Sequence, residues 1–372
     1  MLILSSLNPL LNDVNHICFI SKLLRKRRYL SLFQKPANDS FRQARFYGSV
    51  LYSEHGNPVR VTRLVQTTEP KIDNDHILIK FLASPINPSD INQIEGAYAV
   101  LPSLPAIPGN EGVARIEYLP EGHESGFKVG DWVIPAKPGF GTWRTHALAK
   151  PDQLIPIQSG LPLYSAATLA VNPVTAYRLL HDFMNLEPGS VIIQNAANST
   201  VGLCIIQIAK LMNIKTINII RDRDDFDEIE EHLHQLGADH IVRDNDTKTL
   251  MQLPKPILAL NAVGGTSCTN LARSLDYGGM LITYGGMSRK PVAVPTRLLI
   301  FSDITLKGFW LTRTNQIASN EEKLNVLYRL TDMILRGHLK VDVEPVPFAN
   351  FSTAIERALQ GRRKGKVVLT FE

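Results

Sequence analysis

Between Val191 and Lys307 short apolar runs alternate with helix-forming stretches, and this alternation constrains the fold more than any other feature. Strands are predicted over 191–194, 215–220, 240–242, 257–260, 280–284 and 304–307. Helices are predicted between them, over 201–212, 225–236 and 267–275. The strands are apolar throughout rather than alternating, as expected when helices cover both faces of a sheet. Repeated βα units of this kind predict an α/β fold with a parallel, doubly wound sheet. Upstream, 165–180 reads as one helix with an Ala-rich face. Downstream come a helix over 321–335 and a final strand over 366–369, expected to return to the first domain.

Residues 50–155 have a different texture. Short alternating stretches such as 77–82 are separated by Pro- and Gly-rich loops, among them Pro85-Ile86-Asn87-Pro88 and Lys137-Pro138-Gly139. This predicts a mostly β domain with irregular loops. A chain of 372 residues with 44% hydrophobic and 20% charged content has ordinary globular composition, so a fibrous or largely disordered protein is excluded. Two domains are expected from the length. No apolar run approaches the ~18 residues of a membrane helix. Cys18, Cys204 and Cys268 are far apart in sequence, which excludes a disulfide framework and a C-x-x-C zinc cluster.

Charge is divided unevenly. Residues 1–47 carry eight basic and two acidic side chains, a net +6; the other 325 residues carry 32 basic and 33 acidic, a net −1. The body therefore has no basic excess to suggest a nucleic-acid partner. The tail is basic, poor in acids and rich in Ser, Leu and Asn, the composition of a mitochondrial transit peptide. A short cationic amphipathic helix is predicted over 22–33, stopped before Pro36. Arg45-Phe46-Tyr47-Gly48 looks like a matrix-protease cleavage site. A basic extension without a targeting role and a nuclear signal at Arg25–Arg28 are the alternatives.

The segment Val191-Ile-Ile-Gln-Asn-Ala-Ala-Asn-Ser-Thr-Val-Gly202 runs strand, loop, helix. In a dinucleotide-binding fold this turn meets the pyrophosphate, with free N–H groups and a favourable dipole at the helix start. Its glycine fingerprint is degenerate: Asn198, Ser199 and Thr200 stand where glycines are usual, followed by Val201 and Gly202. A plain strand-to-helix turn capped by Asn198 or Ser199 is the alternative. Nineteen residues after Gly202, at the end of the second strand, stands Arg221-Asp222-Arg223. An acid here would hold a ribose 2′-hydroxyl, whereas flanking guanidinium groups suit a 2′-phosphate. That pattern favours NADPH over NADH. The loops Asn261–Gly265 and Tyr284-Gly285-Gly286-Met287 both follow strand ends, at the carboxyl edge where the nicotinamide side falls.

On these features the chain resembles the medium-chain dehydrogenase/reductase superfamily, over roughly residues 48–372. The motifs Gly130-Asp131-Trp132-Val133 and Gly109-Asn110-Glu111-Gly112-Val113 are similar. Zinc enzymes of that superfamily have His where this chain has Asn110, and no Cys lies between Cys18 and Cys204. The zinc chemistry is therefore not carried over. Within the zinc-free branch, Ser84 to Tyr98, Asn195 to Gly202, Ile219 to Arg223, Thr283 to Met287 and Gly308 to Leu311 look like the motifs of mitochondrial trans-2-enoyl-thioester reductases. The resemblance implies a GroES-like catalytic domain over 48–172, completed by 312–372, and a Rossmann NADPH-binding domain over 173–311. It also implies a homodimer joined through the Rossmann sheet edge, a mitochondrial matrix location, and an enoyl thioester substrate carried on CoA or acyl carrier protein. A related NADPH quinone or alkenal reductase and a non-catalytic NADPH-binding regulator are the competing readings.

Reducing an α,β-unsaturated thioester requires a hydride at Cβ and a proton at Cα, through an enolate whose charge needs stabilising. A tyrosine, with an ordinary pKa near ~10, is a donor that stays protonated at neutral pH. The resemblance assigns this role to Tyr98, on a loop after a short helix expected to be capped by Ser89 or Asp90. It assigns cofactor contacts to Asn172, Asn198, Ser199, Thr200, Val201, Arg221, Asp222, Arg223, Tyr284, Gly285, Gly286 and Met287. It assigns them also to Phe309, Trp310, Leu311, Thr312 and Lys366. Lys366 meets a phosphate or is a solvated end of a basic run. Trp143 and Trp310 are acyl-channel walls or core residues, and Cys204 is an inert buried thiol.

Overall fold

The computed structural model describes residues 47–122, 126–361 and 365–371. The basic tail with its predicted helix lies outside the described residues, as do Arg362, Arg363 and Lys364. Among the described residues no helix is long and apolar enough to cross a membrane.

Six parallel strands form one sheet, in the spatial order His240–Arg243, Lys215–Ile220, Val191–Asn195, Leu258–Asn261, Met280–Thr283 and Thr305–Gly308. The first strand in sequence lies in the middle, so the connections run outward from it in opposite directions. That reversal opens a crevice at the carboxyl ends of Val191–Asn195 and Leu258–Asn261, where doubly wound sheets bind ligands. The predicted strands and helices of this half are present, with ends shifted by a residue or two. One expectation is corrected. The stretch 165–180 is two helices, Leu163–Ala167 and Asn172–His181. Pro173 explains the break: it has no N–H to bond back along the chain and its ring clashes with the preceding turn. It is tolerated in the first turn of a new helix.

The β-rich half is built on the long strand Ile77–Pro85. Val113–Tyr118 pairs antiparallel with one edge of it, followed outward by Trp132–Pro135 and Leu154–Pro156. On the other edge His146–Ala149 covers Ile77–Lys80, and Lys366–Thr370 covers Ala83–Pro85. The chain end therefore returns to the first domain as expected. Gly109 lets two loops of this half meet. Its φ is +103°, and a Cβ there would sit 2.2 Å from Thr142 Oγ1, so only glycine fits. Trp143 is completely buried with Phe81 and Ile116, which makes it a core residue and not a channel wall.

The two halves share apolar packing. Ala83, Val113 and Val368 of the β-rich sheet belong to one cluster with Leu169, Leu179, Ile205 and Leu330. The described residues form one compact unit.

Candidate active site

Three adjacent strands of the parallel sheet, Val191–Asn195, Leu258–Asn261 and Met280–Thr283, end in polar residues, and these tie the loops that follow them together. Asn195 Nδ2 donates to Asn261 Oδ1 at 2.9 Å and to Ser267 Oγ at 3.1 Å, while Asn195 Oδ1 accepts from the Ala262 N–H at 2.7 Å. Asn261 Nδ2 donates to Thr283 Oγ1 at 3.1 Å, and Asn261 Oδ1 accepts from the Val263 and Gly264 N–H groups. This row spans three adjacent strands, so the loops after each are held in one relation. Asn195 and Asn261 lie within motifs noted in the sequence, yet no role was assigned to them. The available signal is a polar residue at the last position of an otherwise apolar strand.

The turn expected from the sequence to meet a pyrophosphate follows Val191–Asn195. Ala196 has φ +50°, a left-handed conformation that favours glycine. Ser199 caps the helix Thr200–Leu211, its Oγ accepting from the Gly202 N–H at 3.2 Å. A Cβ on Gly202 would lie 2.4 Å from the Ala197 carbonyl oxygen, so this glycine is required for the helix to pack on its own loop. Asn198, Thr200 and Val201 sit in the same turn. Cys204 is fully buried, and burial pushes its thiol up to about 12, so it is inert.

At the end of the second strand, Asp222 is engaged by other protein groups. Arg243 Nη1 donates to Asp222 Oδ1 at 2.5 Å and Asn245 Nδ2 to Oδ2 at 3.0 Å. These hydrogen bonds lower its pKa. Arg243 is itself held over the Phe226 ring, 3.6 Å from its centroid. Arg223 forms a two-point pair with Asp225, and Arg221 is exposed with its guanidinium beside Gly361. An acid already occupied by Arg243 and Asn245 is a poor acceptor for a ribose hydroxyl. Of the two flanking guanidinium groups, that of Arg221 is exposed and that of Arg223 is shared with Asp225.

Asn172 opens the helix Asn172–His181. It is buried, and its Oδ1 has no hydrogen-bond donor among the described residues. A buried amide oxygen left in this state is costly unless a ligand satisfies it. The loops 262–264 and 284–288 are joined by Met287 N–H to Ala262 O at 2.9 Å and Ser288 N–H to Val263 O at 3.0 Å. These place Gly285, Gly286 and Met287 over the carboxyl edge. Burial raises the Tyr284 phenol well above its ordinary pKa, and Ser199 faces its hydroxyl. The Phe309 side chain is buried edge-to-face on Phe183; what it can offer a cofactor is backbone. Lys366 is buried, not a solvated end. Its Nζ donates to Asn87 Oδ1 at 2.5 Å, and it bears electrostatically on Asp90 and Glu111.

Tyr98 lies on the opposite wall. The helix before it is Pro88–Ile94, and its N-cap is Asn87, correcting the expectation of Ser89 or Asp90. Asp90 is the third helical residue and reaches back to accept the Asn87 N–H at 2.7 Å. The chain leaves through Gly96 to Tyr98, whose hydroxyl accepts from Trp310 Nε1 at 2.9 Å. The two rings meet edge-to-face with centroids 6.3 Å apart. Trp310 precedes the helix Leu311–Ile317, so Leu311 and Thr312 stand in its first turn. Glu95 Oε2 accepts from Arg289 Nη2 at 2.8 Å, a second link between the Tyr98 loop and a cofactor-side loop.

The position of the zinc-binding His in the metal enzymes is spent on protein contacts. Asn110 Nδ2 donates to Asp90 Oδ1 at 2.6 Å and Gln93 Oε1 at 2.7 Å, and Asn110 Oδ1 accepts from the Gly139 N–H at 2.7 Å. Among the described residues no group of three His, Cys, Asp or Glu is placed to hold a metal. The donor set does not fit a zinc ion.

A β-rich domain packed with a doubly wound parallel sheet, with carboxyl-end loops on one side and the Tyr98 hydroxyl on the other, defines a medium-chain dehydrogenase/reductase. Residues 73–159 match the family described as alcohol dehydrogenase GroES-like domain, and residues 200–325 the family described as zinc-binding dehydrogenase. The chain is 43% identical over 329 residues to the mitochondrial enoyl-[acyl-carrier-protein] reductase of Homo sapiens, covering 87% of this chain and 88% of that relative. It belongs to the family of mitochondrial enoyl-[acyl-carrier-protein] reductases. The structure of the Etr1p complex with NADP and crotonyl-CoA is similar at TM-score 0.82 and 33% identity, over 87% of this chain and 99% of that one. The mitochondrial 2-enoyl thioester reductase Etr1p/Etr2p heterodimer from Candida tropicalis gives TM-score 0.81 at 33% identity, with the same coverage.

Proposed function

We propose that this protein reduces the 2,3 double bond of trans-2-enoyl thioesters with NADPH, in mitochondria. The observation that carries the reading is the Tyr98 hydroxyl, presented across the cleft from the cofactor loops and held by Trp310. When bound, NADPH supplies the hydride that goes to Cβ. Arg221 and Arg223 hold its 2′-phosphate, the turn 198–201 its pyrophosphate, and Asn172 its nicotinamide end. Because the indole N–H donates to the Tyr98 oxygen, the hydroxyl's own proton is directed away from the indole. That proton is available to the thioester oxygen as charge develops there, or to Cα. The same indole N–H stabilises the phenolate left after proton transfer. Loss of NADPH absorbance with crotonyl-CoA, and none with a quinone, is the test; turnover of the quinone alone would overturn the reading.

The finer parts of the reading have separate supports. The domains run 48–172 with 312–372, and 173–311. Residues 1–47 are a transit peptide, supported by their +6 charge; fused to a fluorescent reporter they should carry it into mitochondria. The carrier is CoA or acyl carrier protein, to be separated by comparing crotonyl thioesters of each. The chain forms a homodimer through Thr305–Gly308, an exposed edge strand flanked by exposed Tyr277, Ile300 and Phe301. An unpaired edge beside apolar side chains is a template for pairing. Light scattering should give twice the chain mass, and a Leu306→Pro variant, at a position whose N–H alternates outward from the inward-bonded Thr305, half of that.

A further inference from the structure

Behind Asn172 lies a buried polar chain that neither the cofactor loops nor Tyr98 accounts for. Glu111 Oε1 accepts from the Val171 N–H at 2.8 Å, and Oε2 accepts from Asn87 Nδ2 at 2.8 Å. Asn87 Oδ1 in turn accepts from Lys366 Nζ. Glu111, Asn87 and Lys366 are 1%, 1% and 4% exposed. The Glu111 carbonyl also receives the Ser84 and Thr142 hydroxyls, at 2.7 and 2.8 Å, so its backbone is anchored on the β-rich side.

The direction of this chain is set at both ends. Lys366 offers only donors, and so does the Val171 backbone at this point. Asn87 must therefore turn its oxygen to Lys366 and its amide N–H to Glu111. The residue between Asn87 and Val171 must accept twice, and a carboxylate does that. Burial penalises the carboxylate most, and the ammonium, acting on the nearby carboxyls, offsets part of that penalty. The outcome is a rigid strut from the strand Lys366–Thr370, through the β-rich domain, to the residue preceding Asn172.

We propose that Glu111 is a positioning residue for the nicotinamide end of the cofactor: by holding the Val171 N–H it sets the start of the helix Asn172–His181, and with it the unsatisfied Asn172 oxygen that receives the carboxamide. The inference rests on the NADPH reading above. It concerns the residue next to Asn110, which stands where the zinc enzymes have His.

Glu111→Gln tests it. Glutamine has nearly the same shape, but its amide puts a donor against either Val171 or Asn87. Affinity for NADPH and for adenosine 2′,5′-bisphosphate, which has the 2′-phosphate but no nicotinamide, are measured by titration calorimetry. NADPH affinity should fall about tenfold, the scale of one buried hydrogen bond lost, while the bisphosphate stays within about twofold. In an Asn172→Ala background the same substitution should cost NADPH little more. Equal losses for both ligands, or no loss for either, would overturn the proposal. Failure of the unaltered protein to bind the bisphosphate would instead refute the NADPH reading. If Glu111→Gln does not fold, Asn87→Ala removes one of the two holds on the carboxylate. It must give the same selective pattern, and a non-selective loss there overturns the proposal equally.

Discussion

Replacing Tyr98 by Phe removes one oxygen and leaves the ring on its edge-to-face contact with Trp310, so shape is nearly unchanged. Two effects follow. The developing enolate loses its donor, which typically costs about 2.7–4 kcal/mol of barrier, or roughly 10²–10³ in turnover. The half-buried Trp310 N–H also loses its acceptor at 2.9 Å, a stability cost of about 1 kcal/mol. Trp310→Phe separates the two. It keeps an aromatic ring but removes a neutral hydrogen bond worth about 0.5–1.5 kcal/mol, so turnover should fall roughly 2- to 13-fold. The double variant should be no slower than Tyr98→Phe, because without the hydroxyl there is no hydrogen bond left for the indole to make. Single-turnover oxidation of NADPH by crotonyl-CoA reads the barrier; NADPH affinity and melting temperature are the controls. Near-normal turnover in Tyr98→Phe would refute the acid assignment. Fully additive losses would refute coupling through the indole.

Arg221→Ala with Arg223→Ala should raise the Michaelis constant for NADPH and leave that for NADH nearly unchanged. Each charge-assisted contact is worth roughly 1.5–3 kcal/mol, with Arg223 contributing less because Asp225 competes for it. Equal losses with the two cofactors would mean that the arginines do not read the phosphate. Stability should also depend on pH through the buried carboxyls facing Asn87, Asn110, Val171, Lys366 and Cys204. Burial raises Asp90 from 3.8 to about 6 and Glu111 from 4.5 to about 7. The folded state then binds their protons more tightly than the unfolded chain, so this contribution is fully present below about pH 4 and is lost as pH rises through about 7. The slope of melting temperature against pH between 5 and 7 should flatten in Glu111→Gln; an unchanged slope would show that Glu111 does not titrate there.

Much of the fold is legible because its strands are apolar runs of fitting length, Lys215–Ile220 among them. The broken helix at 168–171 was readable in principle from Pro173, but an Ala-rich periodicity outweighed it. The cofactor turn was legible by position more than by fingerprint. What the chain kept is Gly202, where a side chain would strike Ala197, and not Ala196, where left-handed backbone is merely strained. Tyr98 was legible only through resemblance, since nothing in one sequence says that Trp310, 212 residues away, supplies its hydrogen bond. Of the two readings of Lys366, the solvated end fails for the same reason. A lysine after Arg362-Arg363-Lys364 reads as surface charge, and only the return of the last strand to Ile77–Pro85 buries it against Asn87. Periodicity reports local burial; it does not report which distant polar partner makes burial tolerable.

The links across the cleft are of unequal strength, and this has a consequence for motion. At the substrate edge Arg289, 77% exposed, pairs with Glu95, and such a surface pair contributes about 0–1 kcal/mol. Beside it stands a single neutral bond from Trp310 to Tyr98. At the nicotinamide end the buried Lys366–Asn87–Glu111–Val171 chain holds the start of the helix Asn172–His181 that leads into the other domain, backed by apolar packing of Ala83 and Val368 in one cluster with Leu179 and Ile205. Opening should therefore begin at Tyr98, admitting the acyl chain, while the wall behind Asn172 stays closed. Hydrogen exchange should report amides of 96–101 opening with a free energy near the low end of the range, and those of 174–179 near that of global unfolding. Similar protection of the two segments would show that the cleft moves as one hinge, with the buried chain no stiffer than the aromatic contact.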